Sequence, residues 1–432
     1  MRTVAFHTLG CKVNQYETEA MEELFQNRGY IIKSISEKAD IYVINTCTVT
    51  NVSDRKSRQF IRKSKKKNSD AIIAVVGCYS QVSPEEVEGI QDVDIILGTT
   101  ERNRIVDLCE DFNRDSNKIN IVKNIKTNKE FEDININEIK SKTRAYVKIQ
   151  DGCNQFCSYC IIPYARGPIR SRYLDSILDE AKRLGKAGFK ELVLTGIHVA
   201  SYGKDLKDID LIEVIKGISE IDEIERIRLS SVEPSLINEG FLKAAVDSKK
   251  VCDHFHLSLQ SGSDTVLKRM NRKYTSDYFR ERVNLIRKYM PDAGITTDII
   301  VGFPGETNQE FEESYDFVKE IGFSKIHVFK YSKRKGTPAY DYDDQIDSNV
   351  KNERSAKLIS LGEELSQTFL NKYIGLRLEV LYEEEYNKDN EEYEGYTTNY
   401  IRVRSKISHQ AQGEIINTKL LATDKDALVG EV

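Results

Sequence analysis

The amino-acid sequence predicts an α/β protein in three parts: an N-terminal open parallel α/β sheet, a central partial (β/α)6 barrel and a small C-terminal β-barrel. Short β-rich runs alternate with helical runs in the first part of the chain and again after residue 143, as parallel sheets require. A polar stretch without Gly or Pro separates these regions, and the end of the chain holds short β-runs split by a polar turn. We place the parts at 1–112, 139–370 and 371–432, with a linker at 113–138.

Composition limits the functional classes. At 432 residues the chain is too long for one ordinary domain. Its 64 basic and 69 acidic residues give a net charge of −5, so nucleic-acid binding would depend on local patches. No apolar run approaches the ~18 residues of a membrane span, and the start lacks the apolar core of a signal peptide. We therefore expect a cytoplasmic protein without a membrane partner, whose cysteines are metal or catalytic ligands more readily than disulfides.

Three cysteines each follow a predicted strand of the N-terminal sheet. The strands cover 3–6, 41–44 and 71–76, and the cysteines are Cys11, Cys47 and Cys78. Because the carboxyl ends of parallel strands share one rim, where ligands bind, we expect the three thiols to converge. Isolated cysteines are often small buried hydrophobic residues, but the Gly or polar turns before these three favour a shared metal site. Cys109 and Cys252 lie among helical or apolar residues, and we interpret them as structural.

Two helices are predicted between these strands. Residues 15–29 form an amphipathic pattern that ends at a glycine. Residues 54–67 carry eight Lys or Arg against one Asp. This dense charge fits a solvated helix face and a surface that contacts phosphates equally well, and the sequence leaves both interpretations open.

A second group of cysteines, Cys153, Cys157 and Cys160, has the spacing C-x3-C-x2-C after a predicted strand at 144–149. A structural zinc site usually has four ligands, whereas three thiolates on a 4Fe–4S cluster leave one iron open to bind a cofactor. The alternative is a loop of buried or disulfide-bonded cysteines, which a reducing compartment disfavours.

Five more strands follow this loop, at 191–195, 226–229, 254–259, 294–301 and 325–329, with a helix at 175–188 before the first. With 144–149 they make six βα units, and function in such barrels lies at the carboxyl ends of the strands. Polar and Gly residues collect there. The candidate cofactor contacts are Gly196, for close backbone approach, and Ser258, Gln260 and Asp298, for ribose or methionine groups. Arg166, Arg170 and Arg172 are candidate partners for carboxylate or phosphate.

The C-terminal part has predicted strands at 376–382 and 400–404, separated by a polar turn at 387–391. An aromatic and basic pattern suited to stacking on RNA bases spans Tyr393, Tyr396, Tyr400, Arg402 and Arg404. However, residues 371–432 contain more acidic than basic side chains, so composition alone does not identify an RNA-binding module.

The central cysteine motif, with Tyr159 before its third cysteine, resembles the radical S-adenosylmethionine (radical SAM) superfamily. Together with Cys11, Cys47, Cys78 and the C-terminal β-barrel, it resembles the methylthiotransferase branch across almost the whole chain. The ending is similar to a TRAM domain, an RNA-binding barrel. The resemblance implies two 4Fe–4S clusters, one on each cysteine group, and S-adenosylmethionine bound at the open iron of the central cluster, beside Tyr159 and Arg166.

Within the branch, the segments 8–14, 152–160 and 194–203 are most similar to enzymes that methylthiolate carbon 2 of N6-threonylcarbamoyladenosine, 3′ to the tRNA anticodon. The implied partners are tRNA carrying that nucleoside, an electron donor such as flavodoxin or ferredoxin, and a sulfur source. Methylthiolation of N6-isopentenyladenosine or of a ribosomal protein aspartate remains an alternative. From other classes, a non-catalytic iron–sulfur protein that binds RNA or transfers electrons, and a zinc protein, also remain open.

Overall fold

The computed structural model describes residues 2–113, 117–134, 143–387 and 391–432. The N-terminal elements are β1 (Thr3–Thr8), α1 (Lys12–Asn27), β2 (Ile31–Lys33), β3 (Ile41–Thr46), α2 (Asn51–Lys67), β4 (Ile72–Gly77), α3 (Cys78–Val82), α4 (Pro84–Glu88), β5 (Ile95–Ile96), α5 (Ile105–Asp111) and β6 (Ile119–Asn120). The six strands form one parallel sheet in the order β2-β1-β3-β4-β5-β6, with an apolar core on each face. The predicted open parallel sheet is confirmed.

The central elements follow the predicted alternation of strands and helices. They are β7 (Arg144–Asp151), α6 (Ile162–Arg166), β8 (Arg170–Ser171), α7 (Leu174–Lys186), β9 (Glu191–Gly196), α8 (Leu211–Ser219), β10 (Arg226–Leu229), α9 (Glu239–Ser248), β11 (His254–His256), α10 (Asp264–Arg269), α11 (Ser276–Tyr289), β12 (Gly294–Val301), α12 (Asn308–Ile321), β13 (Lys325–Lys330) and α13 (Ser348–Asn371). The sheets β10-β9-β7-β8 and β11-β12-β13 are joined by isolated parallel bridges, Ile227 to Val251 and Val232 to Leu257. Six parallel strands therefore curve in chain order around one core, which confirms the partial barrel.

The C-terminal elements are β14 (Arg377–Asn387), β15 (Glu392–Tyr396), β16 (Arg402–Lys406), β17 (Ile415–Asp424) and β18 (Ala427–Glu431). They close into a barrel in the order β14-β15-β16-β18-β17, as predicted. The predicted turn at 387–391 lies mostly outside the described residues. Within the parts of the chain that the structure describes, no helix combines the length and the apolar character that crossing a membrane requires.

The structure differs from the predicted elements in several places, including the end of β11, the strand β5 and the first domain boundary. The strand predicted at 254–259 ends at His256; beyond it Leu257 and Gln260 keep only isolated bridges, to Val232 and Ile299, and Gln260 adopts a positive φ of 73°. The two-residue β5 is too short to give a periodic signal. The sheet also continues past the boundary placed at 112, because β6 pairs with β5, and buried Ile125 and Ile134 hold the following segment against the protein. The rest of the predicted linker, from 135, lies outside the described residues.

Candidate active site

The three N-terminal cysteines converge as predicted. β1, β3 and β4 are neighbours, and Cys11, Cys47 and Cys78 follow their carboxyl ends. Gly10 has a φ of 119°, and a β-carbon added to it would lie 3.2 Å from the sulfur of Cys47. The chain before Cys11 therefore passes directly against Cys47. The thiols of Cys47 and Cys11 are also close enough to Cys78 to affect its pKa by their charge.

Arg166 from α6 reaches into this N-terminal group. It is fully buried, and its Nε donates a hydrogen bond of 3.3 Å to the sulfur of Cys78. The same guanidinium pairs with Glu17 of α1 and donates 2.8 Å to the side-chain oxygen of Asn14. Burial disfavours ionisation of Glu17, but the charges of Arg102, Arg166 and Lys148 outweigh it and lower its pKa to about 2. The central domain thus supplies the cation beside an N-terminal cysteine.

The central cysteine loop depends on local backbone geometry. Gly152 has a φ of 73°, and a β-carbon there would lie 1.8 Å from the carbonyl oxygen of Pro168, so only glycine fits before Cys153. The backbone N–H of Ser158 donates to Met270 O at 3.0 Å, which fixes the middle of the loop against the end of α10. These contacts hold all three cysteines within one compact turn.

Arg272 plays the equivalent role at the central loop. Its Nη1 donates a 3.3 Å hydrogen bond to the sulfur of Cys157, and its Nη2 donates 3.1 Å to the carbonyl of Ser258. A guanidinium that donates to sulfur favours a thiolate over a thiol. Each cysteine group therefore has one arginine that donates a hydrogen bond to a cysteine sulfur.

The chemistry of both groups fits an iron–sulfur cluster. All eight cysteines are free. Burial raises the pKa of Cys153 to about 11 and the pKa of Cys78 and Cys160 to about 12, so these sulfurs become thiolates readily only beside a cation such as iron. Among the described residues, no three His, Cys, Asp or Glu side chains are grouped as ligands of a single metal ion. A 4Fe–4S cluster binds each thiolate through a different iron, which separates its ligands more widely.

One cavity of about 990 Å³ opens beside both cysteine groups. Its lining includes Cys11 from the N-terminal group and Cys153, Cys157 and Cys160 from the central loop. Its volume is at the upper end of the range for small-molecule sites. A molecule in this cavity can therefore lie between Cys11 and the three central cysteines.

Five of the six residues predicted to contact the cofactor line this cavity: Tyr159, Gly196, Ser258, Gln260 and Asp298. Asp298 also lies 3.2 Å from Nε2 of His256. Arg166 is absent from the lining, because its guanidinium is directed to Glu17 and Cys78. Arg170 and Arg172 are likewise buried elsewhere: Arg170 donates to the carbonyls of Arg166 and Pro168, and Arg172 pairs with Glu180.

The predicted RNA-stacking tyrosines have other environments. Tyr393 is buried in the core of the C-terminal barrel and cannot stack on a base, which corrects that prediction. Tyr396 and Tyr400 stack on each other with ring centroids 4.8 Å apart, and they face the central domain rather than the outer surface. Tyr400 also stacks on His254 at 4.6 Å. The C-terminal barrel therefore closes one wall of the cavity.

The sequence pattern did not identify Arg272 or Lys12 as site residues. Arg272 follows α10, and nothing in the local sequence connects it to Cys157. Lys12 is adjacent to Cys11 and its side chain lines the cavity. Its position next to Cys11, a candidate ligand, is the feature of the sequence that could have identified Lys12 as a site residue.

Comparison with known proteins identifies the class. Residues 147–318 match the radical SAM superfamily, and residues 3–98 match an uncharacterized protein family, UPF0004. The radical S-adenosylmethionine methyltransferase TsrM from Kitasatospora setae, solved with cobalamin and a [4Fe-4S] cluster bound, has the same fold, with a TM-score of 0.58 at 13% identity over 78% of this chain and 77% of that one. The fold and the matched regions define a radical SAM enzyme, a class that uses a 4Fe–4S cluster and S-adenosylmethionine.

Two relatives identify the family within this class. Threonylcarbamoyladenosine tRNA methylthiotransferase MtaB from Bacillus subtilis is 46% identical over 98% of this chain and 94% of its own length. tRNA-2-methylthio-N(6)-dimethylallyladenosine synthase from Clostridium novyi is 36% identical over 98% of this chain and 95% of its own length. The chain therefore belongs to the radical SAM methylthiotransferase family, as its cysteine motifs indicated.

Proposed function

We propose that this protein methylthiolates carbon 2 of N6-threonylcarbamoyladenosine, 3′ to the anticodon of tRNA. The observation that carries the proposal is the single cavity of about 990 Å³, because cysteines of both groups line it. A reaction that transfers sulfur to an unreactive carbon needs a group that generates a radical and a group that supplies sulfur, both close to that carbon. The relative named for this nucleoside is 46% identical, against 36% for the one named for the dimethylallyl nucleoside.

The six cysteines are the proposed cluster ligands. Cys153, Cys157 and Cys160 would hold the cluster that binds S-adenosylmethionine, and the three N-terminal cysteines, Cys11, Cys47 and Cys78, would hold a second 4Fe–4S cluster. When bound, these groups supply the one-electron chemistry and the sulfur that no protein side chain can provide at an adenine C–H bond. Tyr159, Gly196, Ser258, Gln260 and Asp298 are the proposed neighbours of S-adenosylmethionine.

The protein's own contribution is binding and positioning. Arg166 and Arg272 each direct a hydrogen bond at a candidate cluster sulfur, and they would orient those sulfurs toward a bound cluster. The N-terminal sheet, the central barrel and the C-terminal barrel each form part of the cavity wall. Such an enclosure excludes water and oxidants from a reactive intermediate, and a target base would enter it unstacked from the anticodon loop.

Helix α2 is the proposed contact for tRNA phosphates. It begins just after Val49, which lines the cavity, and its buried Asp54 pairs with Arg334 of the central domain. Five of its basic side chains are exposed: Arg55, Lys56, Arg62, Lys63 and Lys66. This favours the phosphate-contacting interpretation of the basic helix, because the charged face starts beside the cavity mouth. An electron donor such as flavodoxin or ferredoxin and a separate sulfur source would complete the reaction.

The test is mass spectrometry of tRNA nucleosides from cells that lack this protein and from cells re-expressing the wild type or Cys157→Ala. We expect 2-methylthio-N6-threonylcarbamoyladenosine to disappear and its unthiolated precursor to accumulate, with rescue by the wild type alone. Cys109→Ala is the matched control, because Cys109 is buried and belongs to neither cysteine group. It should rescue like the wild type.

Other outcomes would redirect the proposal. If the isopentenyl nucleoside loses its methylthio group instead, the family holds and the proposed nucleoside is wrong. Unchanged tRNA would indicate the ribosomal protein aspartate or a non-catalytic role.

A further inference from the structure

The side chain of Lys12 faces the cavity without a partner. Lys12 is the first residue of α1, immediately after Cys11, and it is exposed to the cavity that Gly10, Cys11 and Val13 also line. Across residues 2–113, 117–134, 143–387 and 391–432, no atom forms a hydrogen bond or an ion pair with its ammonium group. A cation that faces a ligand-binding cavity without a counter-charge is available to pair with an anionic group of the ligand.

The other basic side chains of the cavity are already paired. Four Lys or Arg residues line it: Lys12, Arg272, Lys325 and Arg402. Lys325 lies 3.8 Å from Asp426, Arg402 lies 3.4 Å from the same carboxylate, and Arg272 lies 3.6 Å from Glu233. Among the described residues of this lining, Lys12 is therefore the Lys or Arg side chain that remains available for an anionic ligand.

The surroundings of Lys12 do not neutralise it. Tyr400, Arg144, Arg228 and Glu191 are all close enough for their charges to act on Lys12. Each of the two arginines is occupied by a carboxylate: Arg144 pairs with Glu383 and Arg228 with Glu191, both at 2.7 Å. Three cations thus face two carboxylates. In addition, no side chain of the described residues caps the N-terminus of α1, whose positive dipole end adjoins the cavity. Both features favour a negative group at this place.

We infer that Lys12 binds the carboxylate of the threonine moiety of N6-threonylcarbamoyladenosine and so determines substrate specificity; this rests on the function proposed above. The threonylcarbamoyl group extends from N6, on the same edge of adenine as carbon 2. A carboxylate receptor beside Cys11 therefore suits a base whose carbon 2 faces the N-terminal cysteine group. An isopentenyl group has no charge and would leave Lys12 unpaired in the complex.

The test compares two anticodon stem–loop RNAs on the anaerobically reconstituted enzyme. One RNA carries N6-threonylcarbamoyladenosine and the other carries its neutral threonine methyl ester. We expect the wild type to favour the free acid over the ester by about 10- to 100-fold in kcat/KM, the range for a hydrogen-bonded charge pair. Lys12→Met should reduce that ratio to about one, chiefly by lowering kcat/KM for the free acid.

Two control variants share the cavity. Lys12→Arg keeps the charge and should keep most of the preference. Lys325→Met removes a lysine of the same cavity that is paired with Asp426, and it should leave the ratio at the wild-type value. Iron content and the electron paramagnetic resonance spectrum of Lys12→Met should match those of the wild type.

Each contrary result is decisive. A wild-type ratio in Lys12→Met, or a lost ratio in Lys325→Met, overturns the assignment to Lys12. Loss of iron or an altered cluster spectrum in Lys12→Met also overturns it, because a residue that only recognises substrate is not needed for cluster assembly. A wild-type enzyme that leaves the free-acid RNA unmodified but methylthiolates isopentenyladenosine overturns the proposed function itself.

Discussion

The two cysteine groups of this protein are assembled in opposite ways. Cys153, Cys157 and Cys160 lie within eight residues, on one loop whose shape depends on Gly152 and on contacts with the end of α10. Cys11, Cys47 and Cys78 come from three parallel strands and meet only when the sheet has formed. The central group is thus a local motif, whereas the N-terminal group is a product of tertiary structure. A site of the second kind depends on distant packing.

The arginine beside each cysteine group shows the same contrast between local and long-range structure. Arg272 donates to Cys157 from the central domain, which also contains that cysteine. Arg166 donates to Cys78 across the boundary between domains and is joined there to Glu17 of α1. The N-terminal group is therefore completed by a side chain that comes from the central domain. Breaking the interface should disturb the N-terminal group first.

The largest expected effect separates the chemical roles of the two groups. In the reconstituted enzyme, Cys157→Ala and Cys78→Ala should each lose about half of the bound iron and lower methylthiolation by at least ~100-fold. Only Cys157→Ala should also lose the cleavage of S-adenosylmethionine to 5′-deoxyadenosine, because Cys78 belongs to the other proposed cluster. Iron analysis and chromatography of 5′-deoxyadenosine make the measurement.

Cys252→Ala provides the control for this comparison, because Cys252 is buried apart from both groups. It should keep its iron and both reactions. Equal loss of 5′-deoxyadenosine in Cys157→Ala and Cys78→Ala would show that the two groups act as one unit.

A smaller effect should distinguish the two arginines. Arg166→Met leaves the buried carboxylate of Glu17 short of a partner and should lower the free energy of unfolding by about 3–5 kcal/mol. Arg272→Met removes hydrogen bonds to one sulfur and one carbonyl and should cost about 1–3 kcal/mol. Urea denaturation followed by circular dichroism measures both. Equal losses would mean that the interface does not support the N-terminal group more than local contacts support the central one.

The same contrast explains how much the sequence could predict. The cysteine positions were predictable because each follows a strand or stands in a short motif, and hydrophobic periodicity identifies those strands. The partnership of Arg166 with Glu17 joins residues 149 positions apart, and no local pattern encodes it. The inward direction of Tyr396 and Tyr400 depends on how the C-terminal barrel packs against the central domain. Sequence reasoning thus found the strands that precede the cysteines, the six strands of the partial barrel and the candidate ligands, but not the shortest strands or the side chains that join domains.

A pH dependence of the stability should also follow from the network around Glu17. Its pKa of about 2 lies below its ordinary value of 4.5, because the charges of Arg102, Arg166 and Lys148 outweigh the cost of burial. A carboxyl whose pKa is lowered by folding stabilises the protein above pH 4.5, and this stabilisation disappears as the pH falls from 4.5 through about 2. The contribution of Glu17 to the free energy of unfolding that protonation removes is on the order of 3 kcal/mol.

Glu17→Gln should therefore flatten the loss of stability over this interval, whereas Glu220→Gln, at an exposed position, should leave the wild-type slope unchanged. Urea denaturation at several pH values measures the slope, and an unaltered slope in Glu17→Gln would show that the buried charges at the domain interface do not control its acid stability.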